Sequence, residues 1–463
     1  MNQGQNWTTA KCHFGDVRLT HRAVFIAEKL AGKYGKPLSA IFSRASDLKR
    51  AYEFFANQKT SFSSVIEPYH QQTANCISDL SIVLAVGDTS YLDYKKIGEK
   101  RDEYGPIGNG GNGLILHSAL AVNAENGQPM GLLWEKLWHR EHQEAKRLTK
   151  QQKKKKQAEA RKRPLESKES YKWIEAVKEV EKTLKAADEA SKRTKIIHVF
   201  DREGDIAEVF EEVRNTPNTG LVVRSAHNRA LSEENSYLRE SLSEQPVQME
   251  VTVELPKTQK RTARTAILAI RYAPLKLKNP ARIKEREYFE VYGVYALEID
   301  PPEGCEPVEW MLLTTETVTN HQQAQTILRW YTYRWRIEEY HKILKSGCNA
   351  ESYRLSGDSM QVLLGFLTNI AAQLLQMTYL NRTNPEAPAS EVLNQVQIEV
   401  LVAKYGKPVS AVDLTVAWAM GAVASLGGYL SHRRKSNIGI TVLWRGFLEL
   451  QSLCEGWLLH KET

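Results

Sequence analysis

The sequence predicts a mixed α/β fold: a sheet of mixed strand direction with helices on its faces and an inserted antiparallel β subdomain. An N-terminal helical domain and a C-terminal helical domain flank it. Three observations predict this. Between residues 82 and 223, short apolar runs ending in Gly or Asp alternate with helical patterning. Four further β-type runs follow between 248 and 314 with no strongly helical stretch among them. Both ends of the chain repeat apolar residues at helical spacing. With 463 residues, 42% of them hydrophobic, the chain can fill two or three domains. The expected division is 1–70, 71–380 with the insertion at about 230–316, and 381–463.

Taken in order, Thr20 to Tyr34 has helical patterning. A second helix is expected from Asp47 to Asn57, capped by Ser46, with Leu48, Ala51, Tyr52 and Phe55 on one side. Ile82 to Val86 reads as a strand ending at Gly87-Asp88. Leu114 to Val122 and Gly131 to Trp138 are two more, separated by the turn signal Asn126-Gly127. Tyr171 to Ala190 reads as a helix whose apolar side is Trp173, Ile174, Val177, Val180 and Leu184. Ile196 to Phe200 is a buried-type strand that stops at Asp201. Asp205 resembles a cap for a helix carried by Ile206, Val209, Phe210 and Val213, and Gly220 to Val223 is the next strand. The insertion holds Gln248 to Leu255, Ala263 to Tyr272, Tyr288 to Leu297 and Glu309 to Thr314. Thr319-Asn320-His321-Gln322 has capping-box form, and no Gly or Pro interrupts Gln323 to Leu344 before Gly347. A linker is expected at 383–388, then helices at 409–426 and 440–459.

Composition narrows the function classes. A formal net charge of +8 favours an anionic partner, nucleic acid first. Ten Lys or Arg against one acid between Lys146 and Arg163 suit either a solvated segment or contact with a phosphate backbone. Five scattered cysteines without a Cys-x-x-Cys pair argue against a disulfide framework or zinc site and for a reducing compartment. Met1 to Lys11 lacks the apolar centre of a signal peptide, and no uninterrupted apolar run reaches about 18 residues. No membrane partner is expected.

Three carboxylates carry the chemistry: Asp88 and Asp201 at strand ends, and Glu338 on the late helix. Each alone is ordinary, since strand-end aspartates usually serve turns. Together they suit hard divalent cations, which take oxygen donors and leave room for phosphate oxygens. At about 100° per residue, Tyr331, Arg334, Glu338 and Lys345 share one helical face. That face sets a carboxylate beside cations that can bind phosphate, although charged residues at helical spacing are commonly a solvated surface.

Three motifs extend this reading to a family. Val86-Gly87-Asp88-Thr89-Ser90, Phe200-Asp201-Arg202-Glu203-Gly204-Asp205-Ile206, and Tyr331 through Lys345 with its Tyr-Arg-Glu-Lys spacing resemble the three carboxylate contexts of bacterial cut-and-paste DDE transposases of the insertion-sequence-four family. The resemblance runs over nearly the whole chain. It implies an RNase H-like fold in which the first and fourth strands pair. It also implies that Asp88, Asp201 and Glu338 bind two Mg2+ ions, with Mn2+ able to substitute. The implied substrates are the inverted-repeat ends of a mobile element and target double-stranded DNA. The implied reaction passes through a DNA hairpin and ends in strand transfer. Tyr331, Arg334, Lys342 and Lys345 would contact end DNA, with Arg202, Arg224 and Arg229 as further candidates. Trp310, 21 residues before Tyr331, matches the base-stacking tryptophan, its alternative being an ordinary core residue. The C-terminal helices would form a homodimer, in the bacterial cytoplasm at the nucleoid. Two other classes stay open: a nuclease that cuts without joining, and a non-catalytic DNA-binding inhibitor of transposition.

Overall fold

A computed structural model describes residues 12, 14–95, 103–142, 149, 151–152, 154–155, 158–159, 163–187, 193–255, 263–283, 286–406, 414–430 and 438–461. Most of the Lys-rich segment, and the expected helix start at 409, lie outside them. The chain divides into two compact units. The first comprises Met1–Cys76, Thr89–Lys146 and Arg336–Thr463; the second comprises Ile77–Asp88 and Arg147–Trp335.

The first unit opens on four helices: α1 (Val17–Lys33), α2 (Leu38–Ile41), α3 (Ala45–Phe55) and α4 (Phe62–Cys76). Asp16 caps α1 by accepting from the Arg18 amide at 2.9 Å. Ala23, Ile26, Ala27 and Leu30 form its buried stripe at helical spacing. Two expectations for α3 fail. Its N-cap is Arg44, which makes no side-chain cap bond, and Ser46 lies inside the helix. Phe54 takes the buried place expected of Tyr52, which is exposed.

Strand β1 (Ile82–Asp93) begins in the second unit and ends in the first. It does not stop at Asp88 as expected. Within the first unit its later residues lie beside β3 (Gly111–Asn123), which keeps them extended. The Tyr94 amide still bonds to the Asn112 carbonyl at 2.8 Å. β3 also pairs antiparallel with β2 (Gly105–Gly108), a strand the pattern did not announce, and with β4 (Pro129–Trp138). Helix Gly357–Thr383 is buried nearly all round and forms the middle of this unit. It is long and apolar enough to cross a membrane, but 78% of the relevant window is covered by protein, as in a core helix. Helices Gln395–Tyr405, Val416–Leu426 and Ile440–Lys461 complete the unit.

The second unit contains β5 (Lys195–Phe200), β6 (Thr219–Arg224), β7 (Met249–Leu255), β8 (Arg264–Lys278), β9 (Tyr288–Glu298) and β10 (Glu309–Thr314). Its strand order is β1-β5-β6-β10-β9-β8-β7. β1, β5 and β6 are parallel. β10 pairs antiparallel with β6, with Leu312 opposite Arg224, so the inserted strands extend the same sheet instead of forming a separate body. Helices Lys172–Ala186 and Ala207–Asn215 bury Trp173, Ile174, Val177, Phe210 and Val213 against Phe200, Leu221 and Val223. Asp205 does not cap the second of these helices. Ile206 is its N-cap, because the Asp205 carboxylate is taken by Ser225, the Ala226 amide and Arg229.

The uninterrupted helix expected from Gln323 to Leu344 is broken. Helix His321–Thr332 is capped by Asn320, which bonds the Gln323 amide at 3.0 Å, and not by Thr319. The backbone tightens at Tyr333-Arg334, where Arg334 N–H reaches the Tyr331 carbonyl at 3.1 Å. Helix Trp335–Lys342 follows and passes into a π turn at Ile343–Gly347. The expected stop at Gly347 is observed.

Candidate active site

The β1–β5 register aligns two strands that each lead into a predicted carboxylate. The parallel pairing runs from Ile82 opposite Lys195 to Val86 opposite Val199. Continued two residues past its last pair, the same register would put Asp88 opposite Asp201; both are half-buried. Two glycines allow close packing here. A Cβ on Gly87 would lie 2.6 Å from the Phe200 ring and 3.3 Å from Trp173, and one on Gly204 would lie 2.6 Å from the Phe200 Cβ. Phe200 packs on Trp173 with ring centroids 4.7 Å apart. Hence Val-Gly-Asp and Phe-Asp-Arg-Glu-Gly have a packing reason. Asp201 also accepts from the Glu203 amide at 2.8 Å, holding the short turn Arg202–Gly204 in place.

A basic and aromatic cluster lies in the same unit. Arg224, at the end of β6, donates to the Glu309 carbonyl at 2.7 Å and interacts with the Tyr331 hydroxyl. Burial lowers its pKa; Tyr331 opposes that shift, while nearby Arg202 and Arg334 add to it. Trp310 is half-buried and meets Tyr331 edge to face, with centroids 5.7 Å apart and an angle of 65°. The Arg334 guanidinium lies 6.0 Å from the Tyr331 ring centroid and 5.1 Å from that of Trp335. Arg202 and Arg224 line a cleft of about 210 Å³ together with His227, Arg239 and Glu309. Five residues singled out from the sequence, Arg202, Arg224, Trp310, Tyr331 and Arg334, are therefore gathered in one place. Arg229 is committed elsewhere: it forms an ion pair with buried Asp205 at 2.6 Å and holds the loop after β6.

Glu338, Lys342 and Lys345 belong to the first unit. Glu338 is half-buried in the first turn of helix Trp335–Lys342, and Lys342 is exposed near its end. Lys345 donates to the Tyr91 carbonyl at 2.8 Å and pairs with Glu351 at 3.1 Å. The break at Tyr333-Arg334 thus separates Tyr331 and Arg334 from the helix that carries Glu338.

Among the described residues, no group of three or more His, Cys, Asp or Glu stands close enough to hold a metal ion. The pair Asp88 and Asp201 supplies hard oxygen donors, which fit a divalent cation of the magnesium type. The sequence reading missed Ser118, Glu135 and Tyr340, which form a buried hydrogen-bonded group in the first unit. A polar pair inside the apolar run Leu114–Val122 was the available signal.

Residues 135–374, more than half of the chain, match the transposase DDE domain family. The chain belongs to the DDE transposase family. Residues 5–60 match the transposase DNA-binding family, which gives this transposase DNA as its partner. The DDE match contains Asp201 and Glu338; Asp88 precedes it. Transposases with this domain use divalent metal ions.

Proposed function

We propose that this transposase cuts DNA at the inverted-repeat ends of a mobile element, passes through a DNA hairpin and joins the freed ends to target DNA. By its motifs it resembles the insertion-sequence-four family and, within it, the transposon-five transposase. The observation that carries the reading is the β1–β5 register leading to Asp88 and Asp201, in a unit that also groups Arg202, Arg224, Arg334, Trp310 and Tyr331. Carboxylates that bind metal and cations that bind phosphate are what phosphoryl transfer requires.

In this reading Asp88, Asp201 and Glu338 are the metal-binding carboxylates, for Mg2+ or Mn2+. Held by these carboxylates, such ions would polarise the scissile phosphate and acidify the attacking water or hydroxyl. Arg224, Arg334 and Tyr331 hold phosphates of the end DNA, with Arg202, Lys342 and Lys345 as further contacts. Trp310 offers its face to a base swung out of the helix, which relieves the bend a hairpin imposes. Water first breaks a phosphodiester and leaves a 3′-hydroxyl. That hydroxyl then attacks the phosphodiester of the opposite strand, forming the hairpin and releasing the flanking DNA with a free 3′-hydroxyl; hydrolysis reopens the hairpin. Finally the element's 3′-hydroxyl attacks target DNA. The domain at 1–70 recognises the ends, 71–380 carries the chemistry, and 381–463 joins two copies in the synaptic complex.

A strand-transfer assay with a labelled element end tests this. Metal-dependent appearance of nicked, hairpin and joined products supports it. Cutting without joining indicates a nuclease, and binding without cutting indicates an inhibitor.

A further inference from the structure

Glu135 of β4 is an acid inside the first unit, 5% exposed. Its Oε1 accepts from Ser118 Oγ at 2.9 Å and from Tyr340 Oη at 2.8 Å. Ser118 is its cross-strand partner on β3; the nearby Thr368 hydroxyl of helix Gly357–Thr383 donates instead to the Gly365 carbonyl at 3.2 Å. Tyr340 is completely buried in helix Trp335–Lys342, whose first turn carries Glu338. Two residues subtend about 200° around an α-helix, so Tyr340 and Glu338 lie on opposite sides of it.

Polar contacts hold the rotation of this helix: Arg336 donates to the Gly127 carbonyl at 3.2 Å, the Tyr379 hydroxyl to Glu339, and Tyr340 to Glu135, of which the last is buried and the other two are only partly so. The helix spans eight residues, begins at the Tyr333-Arg334 break and runs directly into the π turn. A buried carboxyl group is costly, and an apolar pair would fill the same space at lower cost. What an apolar pair lacks is direction. A hydroxyl that must meet one oxygen atom admits a single azimuth for the helix.

We propose that Glu135 and Tyr340 are positioning residues that fix the rotation of the helix carrying Glu338, and so the direction in which its carboxylate is presented to metal. The inference rests on the metal-binding role assigned to Glu338 above. It adds a requirement that the three carboxylates alone do not contain: an internal acid–phenol bond on the far side of the helix.

The test uses the full-length protein with a labelled element end. Single-turnover cleavage is followed across a Mn2+ titration, and end binding is measured separately. Tyr340→Phe removes one oxygen atom and should fold. It is expected to slow cleavage on the order of tenfold to hundredfold and to raise the Mn2+ concentration for half-maximal rate, with end binding unchanged. Glu135→Gln keeps an acceptor at the same place and should retain most of the rate, whereas Glu135→Leu should behave like Tyr340→Phe. Combining Glu135→Leu with Tyr340→Phe should cost little more than either alone. A Tyr340→Phe protein with the parental rate and Mn2+ requirement overturns the proposal. Glu338→Ala separates the two layers: if it still cleaves, the role of Glu338 itself is wrong. If it is inactive while Tyr340→Phe is normal, only the positioning claim falls.

Discussion

Trp310, half-buried, meets Tyr331 edge to face, and in the proposed role its ring stacks on a base. Stacking on an aromatic ring is worth about 1–3 kcal/mol per base. Replacing Trp310 with Ala is therefore expected to slow hairpin closure by roughly 5- to 150-fold, with first-strand nicking much less affected. Gel analysis of nicked and hairpin products over time checks this, and an equal loss of both steps would speak against a stacking role. In the proposed role Glu338 supplies metal affinity and not backbone contact, so Glu338→Ala should retain end binding and abolish cleavage. A mobility shift run beside a nicking assay reads both quantities. Arg229 marks the opposite case. Its guanidinium is satisfied by buried Asp205, so Arg229→Ala should destabilise the loop and lower the melting temperature more than it weakens DNA binding.

At the scale of elements, the edge formed by β1 and β5 depends on missing side chains as much as on present ones. A methyl group at residue 87 would enter the Phe200 ring at 2.6 Å. Gly87→Ala should thus cost about 1–3 kcal/mol by overpacking and displace Asp88, reducing cleavage. Pairing it with Phe200→Leu should restore part of both, which a double-mutant cycle in denaturant and in single-turnover cleavage would detect. Full additivity would mean the clash is relieved elsewhere. Much of this edge was legible in the sequence, because buried parallel strands read as short apolar runs, here followed by Gly87-Asp88 and Asp201, though β1 itself runs on to Asp93. The break at Tyr333-Arg334 was not legible. No Gly or Pro marks it, and its setting includes contacts of the Arg334 guanidinium with the Tyr331 and Trp335 rings. The caps shifted for a related reason: Asp205 has the chemistry of a cap, but Arg229 and the Ala226 amide compete for it.

Across the whole molecule, buried titratable groups set the response to pH. Burial lowers the pKa of His70, His198 and His341 to about 3 in each case, with Lys345 adding to the effect at His341. These bases gain protons more readily when unfolded, so the stability they support is complete above 6.5, their ordinary value, and declines as pH falls toward 3. Glu135 acts in the other direction. Burial raises its pKa from 4.5 to about 7, so its contribution is present below 4.5 and is lost as pH rises through about 7. It thereby offsets part of the histidine effect on mild acidification. Glu135→Gln should make the melting temperature fall more steeply between pH 7 and 5 than in the parent protein; equal slopes would mean Glu135 is not the group that titrates. None of these interior groups announced itself in the sequence, because a histidine or glutamate within an apolar strand reveals its burial only when its neighbours from distant segments are known. Asp88 and Asp201 were easier to single out, since each follows a buried apolar run, although β1 continues past Asp88 to Asp93, and the three motifs pointed to the DDE family that residues 135–374 match.

The most direct measurement is anomalous diffraction at the manganese edge from crystals of the transposase bound to its element end. An Mn2+ ion held between Asp88 and Asp201, within about 2.5 Å of an oxygen of each and absent from the Asp201→Asn protein, is the predicted result. Manganese bound only at other residues, in a crystal that still nicks its DNA, would contradict the assignment.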